Sequence, residues 1–288
     1  MKVLVTGAHG FIAGHVIEEL HSRGIETIGL VRHIGSVANT PIEAWPDMVY
    51  VGDVRDKEVV EKAVNSSDGV INLAGILGTQ ETINNPYPSV EVNILGTLNV
   101  LEACKLWKIP LVQIAVGNYW MNNSYSITKT TAERFVDMYV KEHGVKANVV
   151  RALNAFGERQ KPKPVRKIMA SFITRALAGE PIQVYGDGMQ KMDMIYVKDV
   201  AKILVDTLLV STDYGNLYEA GTGIGYTVKE IAEKIIELSG SSSKIEYLPM
   251  RSGEPPHSEV IAQNPVDFMY TSLEEGLSKT IAWYESQV

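Results

Sequence analysis

The chain has a single cysteine, Cys104, so no intramolecular disulfide is available to hold the fold together. Cys104 sits in the helical pattern Leu101-Glu102-Ala103-Cys104, where it reads as a small buried hydrophobe rather than a nucleophile. Six histidines are scattered, with no His-Glu-x-x-His and no cysteine pair, which argues against a metal centre. No apolar run approaches the ~20 residues of a membrane span. The chain enters Met1-Lys2-Val3-Leu4-Val5-Thr6 without a long apolar leader, so a cytoplasmic location is expected. Positive charge is in deficit, 27 Lys and Arg against 34 Asp and Glu, and the net −7 disfavours general nucleic-acid binding. What remains is a 288-residue chain, 45% hydrophobic, sized for one large α/β domain with a smaller annex.

Short apolar runs alternate with helical patterns through the first half. Strands are expected at 2–6, 26–32, 48–51, 69–73, 111–116 and 147–152. Helices are expected at 12–23, 57–65, 89–106 and 125–143. Such alternation predicts a Rossmann-type, doubly wound parallel sheet that binds ligands beyond the C-terminal ends of its strands. The second half is less regular, with a strand at 194–197 and helices at 198–209, 228–239 and 273–286. Thr227 is the expected N-cap of the helix at 228–239, with Gly240 just past its end. The expected division gives 1–157 and 191–211 to the dinucleotide-binding domain. It gives 158–190 and 212–288 to a smaller C-terminal α/β substrate-binding region.

Three features carry chemistry. First, Thr6-Gly7-Ala8-His9-Gly10-Phe11-Ile12-Ala13 lies between a strand and a helix, where glycines let backbone amides approach a pyrophosphate and the helix N-terminus favours its charge. Second, the next strand ends Leu30-Val31-Arg32-His33 without the acid that NAD binders often place there. Arg32 is suited to a 2′-phosphate, so NADP(H) is favoured over NAD(H), and Asp53 is suited to the adenine amino group. Third, Tyr125 and Lys129 stand four residues apart on one helix face. A phenol of pKa ~10 is a poor base at neutral pH, and bringing it to ~7 takes roughly 4 kcal/mol, which an adjacent ammonium supplies in part.

Taken in order, these segments resemble the extended short-chain dehydrogenase/reductase family, in particular its nucleotide-sugar epimerases. Gly7, Gly10, Phe11 and Ile12 fall on its cofactor loop, and Asp53-Val54 on its adenine contact. Leu73-Ala74-Gly75 resembles the segment passing the cofactor ribose, and Val92-Asn93-x-x-Gly96-Thr97 the helix that follows. Tyr125 and Lys129 fall on the active-site pair. Arg151-x-x-Asn154-x-Phe156-Gly157, Val184-Tyr185-Gly186-Asp187-Gly188-x-Gln190 and Arg251-x-Gly253-Glu254-Pro255 are similar to its substrate segments. The resemblance implies that Tyr125 moves a sugar hydroxyl proton while hydride passes to or from NAD(P). It implies that Lys129 lowers the tyrosine pKa and holds the nicotinamide ribose. Asn154 and Arg251 would touch the nucleotide sugar, and the helices near 89–106 and 125–143 would form a homodimer.

The chain departs from that pattern in places. The hydroxyl expected after the fifth strand falls on Ala115 or Gly117, leaving Asn118, Tyr119, Ser124 and Thr128 as candidate substitutes. The connection to Tyr125 is short. Met192 stands where an arginine is expected; the basic stretch Arg159, Lys161, Lys163, Arg166, Lys167 reads as a solvated loop and helix start, with compensation for that arginine as the alternative. No acidic pair follows the hydroxyl position, which disfavours 4,6-dehydration. The leading reading is an epimerase of a nucleoside-diphosphate sugar. A reductase of a keto-sugar nucleotide or related carbonyl is the second, and a non-catalytic dinucleotide binder the third. Replacing Arg32 with alanine is expected to weaken NADP⁺ binding about 10-fold or more relative to NAD⁺. Calorimetric titration of both dinucleotides reads this, and an unchanged ratio removes the reason for favouring NADP(H).

Overall fold

A computed structural model describes residues 1–34, 41–251, 255 and 257–287. Its strands are β1 (Lys2–Thr6), β2 (Glu26–Val31), β3 (Met48–Val51), β4 (Gly69–Asn72), β5 (Leu111–Val116), β6 (Ala147–Ala152), β7 (Asn154–Phe156), β8 (Ile182–Tyr185), β9 (Lys191–Tyr196), β10 (Leu217–Ala220), β11 (Gly225–Thr227), β12 (Ile245–Leu248) and β13 (Glu259–Val260). Its helices are α1 (Phe11–Ser22), α2 (Lys57–Asn65), α3 (Tyr87–Ser89), α4 (Gly96–Trp107), α5 (Ser124–His143), α6 (Ile168–Leu177), α7 (Val197–Val210), α8 (Val228–Leu238) and α9 (Leu273–Glu285). A π-helical stretch, Val90–Leu95, joins α3 to α4.

Seven strands form one sheet in the order β10-β6-β5-β4-β1-β2-β3, parallel at every pairing. The strand order reverses between β1 and β4, which opens a crevice at their C-terminal ends. Alternation sends Val3 and Val5 into the core beneath α1 and α7, and Leu4 into the core beneath α2, α4 and α5. A third core gathers α6, α8 and α9 against β7, β8 and β9. Thr227 caps α8 in a reciprocal capping box with Glu230, and Gly240 follows with φ +60°.

The two regions interleave more than the chain order suggests. β10 arises within 212–288, yet it pairs with β6 at the edge of the large sheet. β9 arises within 191–211, yet it pairs with β7, β11 and β13 in the small sheet. Its alternation explains the double role: Ile195 packs into the large-sheet core, while Met194 and Tyr196 pack into the third core. The buried Asp193 of β9 fastens the regions together. It accepts hydrogen bonds from Thr222 N (2.9 Å), Thr222 Oγ1 (2.7 Å), Gly223 N (2.9 Å) and Ala262 N (3.2 Å). Among the described residues no helix is long and apolar enough to cross a membrane.

Candidate active site

The crevice has a floor of buried side chains bridging three strands. Thr6 Oγ1 on β1 donates to Asn72 Oδ1 on β4 and accepts from Leu73 N (3.1 Å) and Ala74 N (3.0 Å). Asn72 Nδ2 donates to Gln113 Oε1 on β5 (2.7 Å), and Gln113 Nε2 donates to Ile114 O (2.9 Å). All three side chains are buried. The Thr6 hydroxyl thereby makes its one donation and accepts twice, which fixes how the chain leaves β4.

Above that floor Gly7 has φ +65°, and a Cβ there would lie 3.0 Å from Ala74 Cα. A side chain at this position would fill the space between two strand ends, so the cradle exists because residue 7 is glycine. Gly7 O accepts from Gly10 N (2.8 Å), and Gly10 is the N-cap of α1 without a side-chain cap. A backbone cradle opening onto a helix N-terminus fits a dinucleotide pyrophosphate. On one flank, the Asp53 carboxylate is held by Arg55 through Nε (3.0 Å) and Nη2 (3.1 Å). Burial, followed by Lys161 and Arg32, pushes the His9 imidazole toward its neutral form.

The crevice has a volume of about 680 Å³. Gly7, Gly10, Phe11, Ile12, Arg32, Asp53, Val54, Leu73, Ala74, Gly75, Tyr125, Lys129, Asn154 and Arg251 all line it. These residues come from strand ends, loops and the first turns of α1 and α5, spread over most of the chain, and the topology brings every one to the same cleft. Gly253 and Glu254 lie outside the described residues.

Tyr125 and Lys129 occupy the first turns of α5. Asn123 caps this helix by accepting from Ser126 N (3.0 Å). Arg151 grips Glu133 one turn further on through two bonds of 2.9 and 2.6 Å, and its guanidinium stacks on Tyr119 at 3.9 Å. Arg151 is therefore an anchor of α5, outside the cleft lining. Asn93, on the π-helical stretch, ties the cofactor side to α5: it accepts from Ile76 N (2.8 Å) and donates to Thr128 Oγ1 (3.0 Å). A straight continuation of the helix, as the sequence pattern suggested, gives way here to the π-helical geometry often found at functional sites.

Burial drives the Tyr125 phenol above its ordinary range, and burial drives the Lys129 ammonium down to about 8, with Glu133 opposing. The expectation that Lys129 makes the phenol acidic is thus not met by the protein's own charges: desolvation outweighs them. Lys129 instead sits close to proton exchange at neutral pH.

Among the candidate hydroxyl substitutes only Asn118 lines the cleft. Thr128 Oγ1 donates to Ser124 O (2.7 Å) and Ser124 Oγ to Thr82 O (3.0 Å), while Tyr119 lies under Arg151. A hydroxyl-bearing side chain at Gly117 would collide with Leu153 Cδ1. Among the described residues Asn118 Nδ2 reaches only the Met121 thioether, at 3.5 Å.

A parallel sheet with a glycine cradle at its switch point and a Tyr–Lys pair at the end of β5 defines a dinucleotide-binding enzyme fold of the Rossmann type. The chain belongs to the family described as GDP-mannose 4,6 dehydratase, of the extended short-chain dehydrogenases/reductases, which matches residues 4–252. It is 30% identical to the low-salt glycan biosynthesis protein Agl12 of Haloferax volcanii, with 99% of this chain and 98% of that protein covered. The UDP-glucose 4-epimerase of Thermus thermophilus, solved with NAD, shares 28% identity with a TM-score of 0.87 and full coverage of both chains. The UDP-glucose 4-epimerase of Thermotoga maritima, solved with UDP-glucose, shares 25% identity with a TM-score of 0.89, covering 100% of this chain and 99% of that one.

The Lys129 shift has a signed consequence. Its folded pKa lies below its unfolded value of 10.5, so the unfolded chain holds the extra proton between about pH 8 and 10.5. The Lys129 contribution to stability is therefore unfavourable below about pH 8 and is relieved as pH rises through that window. Relative to Lys129→Met, the ligand-free wild type is expected to gain about 2 kcal/mol between about pH 7.5 and 9.5 in urea denaturation. Parallel pH profiles for the two proteins would show that Lys129 is not desolvated.

Proposed function

We propose that this protein is a nucleoside-diphosphate-sugar epimerase that transiently oxidises a sugar hydroxyl to a ketone with NADP(H), in preference to NAD(H). The observation carrying the reading is the convergence of the glycine cradle, the Tyr125–Lys129 pair, Asn154 and Arg251 on one cleft. Epimerase relatives with NAD or UDP-glucose in their solved structures support the reaction class. Arg32, standing where an acid would meet a ribose hydroxyl, and the positive surroundings of His9 support the 2′-phosphate.

A dinucleotide in this cleft would be held by the Gly7–Gly10 cradle and Lys129 and would supply the hydride acceptor and donor. Tyr125, standing as the phenolate, takes the proton from the sugar hydroxyl as it is oxidised and, now the phenol, returns it to the ketone oxygen when the opposite face is reduced. Lys129, one helical turn on, holds the ribose and keeps positive charge near Tyr125 Oη. Asn118 donates to the reacting oxygen in place of the missing hydroxyl, exchanging a weak thioether acceptor for an oxygen that gains charge. Asn154, whose Nδ2 is fixed by Asp193 O at 3.1 Å, presents its remaining polar atom to the sugar. The β5–α5 connection offers no carboxylate at Asn118-Tyr119 to expel a sugar hydroxyl, which favours epimerisation over 4,6-dehydration.

Exposed Leu95, Leu106 and Trp107 on one helical segment, and Ile127 and Met138 on α5, support a homodimer through these faces. The location we propose is cytoplasmic, on the acidic composition.

Incubation with UDP-glucose, UDP-galactose and their N-acetylamino counterparts, followed by NMR of the sugars, is expected to show interconversion of a 4-epimer pair without net accumulation of reduced dinucleotide. Tyr125→Phe is expected to lower kcat by about 10²–10⁴ and Asn118→Ala by about 10²–10³, with KM little changed. Full turnover by Tyr125→Phe would refute the mechanism. Stoichiometric NADPH oxidation by a keto-sugar would instead favour the reductase.

A further inference from the structure

The basic stretch after β7 is not one solvated loop. Lys161 and Lys163 are exposed, Arg166 and Lys167 line the cleft, and Arg159 turns away from it onto α1. Arg159 Nη1 and Nη2 donate to the two carboxylate oxygens of Glu18, at 2.6 and 2.7 Å, fork against fork. Nη2 also lies 2.7 Å from Nδ1 of the buried His15, whose Nε2 lies 3.1 Å from the Glu158 carbonyl. A guanidinium only donates and a carbonyl only accepts, so His15 carries its proton on Nε2 and accepts at Nδ1. Arg159 has φ +68°, in the left-handed region, so its contacts rather than its own backbone preference hold this turn.

The residues on either side of Arg159 are tied to other elements. Glu158 Oε1 accepts from the hydroxyl of Tyr196, the N-cap of α7, at 2.6 Å. Gln160 Nε2 donates to Ala155 O at 2.9 Å, and the Gln160 carbonyl accepts from the Tyr284 hydroxyl of α9. Gln160 lines the cleft, as do Ala155 before it and Val165, Arg166 and Ile168 after it. On the other side, Phe11, His15 and Glu18 share one face of α1, at i, i+4 and i+7. Phe11 rests edge-on against the His15 ring at 5.8 Å and lines the cleft beside the glycine cradle. One run of contacts therefore leads from the cradle through Phe11, His15 and Arg159 to the segment lining the cleft after β7.

We propose that Arg159 is a positioning residue that couples the dinucleotide and nucleotide-sugar ends of the cleft, by holding the turn from Glu158 to Gln160 on α1. The inference rests on the nucleotide-sugar reading above and adds to it a dependence of one ligand on the other. A dinucleotide on the cradle fixes the first turn of α1. His15 and Glu18 ride on the same helix, and Arg159 passes the constraint to the turn. A nucleotide arriving second meets a segment already held, which costs less to order. Linkage makes the effect reciprocal, so each ligand tightens the other by the same factor. Hydride transfer also needs the two ligands in one relative geometry, which the same tie serves.

Calorimetric titration of UDP, GDP and dTDP into wild type, Arg159→Met and Glu18→Gln tests this, with and without a saturating dinucleotide (the tighter-bound of NAD⁺ and NADP⁺). None of the three diphosphates carries the sugar that would meet the nicotinamide, so coupling passes through the protein. In the wild type the best-bound diphosphate is expected to bind about 10-fold more tightly with the dinucleotide present. Arg159→Met and Glu18→Gln are each expected to reduce that factor to about twofold or less. Dinucleotide affinity measured alone is expected to stay within about threefold of wild type in both. A residue serving stability alone would lower the melting temperature and leave the factor intact. Glu18→Gln, at a partly exposed helix position, decides the matter should Arg159→Met not fold. A factor unchanged in the folded variants, or none in the wild type, overturns the coupling and leaves the nucleotide-sugar reading standing. Failure of the wild type to bind any of the three, with or without dinucleotide, overturns both.

Discussion

Three buried polar side chains, Thr6, Asn72 and Gln113, hold the ends of β1, β4 and β5 in register beneath the cleft. Three segments that line the cleft start from those ends. The glycine cradle leaves β1, the ribose-side segment Leu73-Ala74-Gly75 leaves β4, and the connection carrying Asn118 to Tyr125 leaves β5. A buried network of this kind is stabilising only when every member is satisfied, and here each amide and hydroxyl finds partners. Asn93 repeats the principle one layer higher by joining the segment after β4 to α5.

The second organising fact is dryness. Desolvation moves the phenol of Tyr125 up and the ammonium of Lys129 down, so each is held toward its neutral form. A site poised in this way responds strongly to any charge that enters, because little water remains to screen it. The chemistry proposed for Tyr125 thus depends on what fills the cleft as much as on its neighbour along the helix. At the far end the cleft is lined by the cations Arg166, Lys167 and Arg251.

Much of this was legible in sequence, for identifiable reasons. β1, β3, β5 and β6 occupy the expected ranges because each is a short, mostly apolar run rich in β-branched residues. α2 begins at a residue whose side chain caps it, Asp56. The π-helical stretch was not legible, since an inserted residue does not disturb the apolar pattern enough to separate it from an ordinary helix. α6 carries a clear helical spacing in Ile168, Met169, Phe172, Ile173 and Ala176, yet the prolines at 162 and 164 disguise its approach as loop. β8, β10, β12 and β13 are short, and partner strands rather than propensity define them. The cleft residues were found one by one through motif spacing. The contacts that position them, Asn93 with Thr128 across 35 residues and Arg166 with Tyr185 across 19, exist only once the chain is folded.

Transient oxidation at a single sugar carbon inside the cleft is the central claim, and the fate of the hydrogen on that carbon tests it most directly. Turnover of UDP-glucose carrying deuterium at C4, followed by mass spectrometry of the epimer, distinguishes the routes. Retention of the label at C4 of the product, in ordinary water, is the result that oxidation and return of the same hydride requires. Loss of the label to solvent would contradict it, because exchange of that kind belongs to deprotonation at carbon and not to the proton and hydride transfers assigned to this cleft.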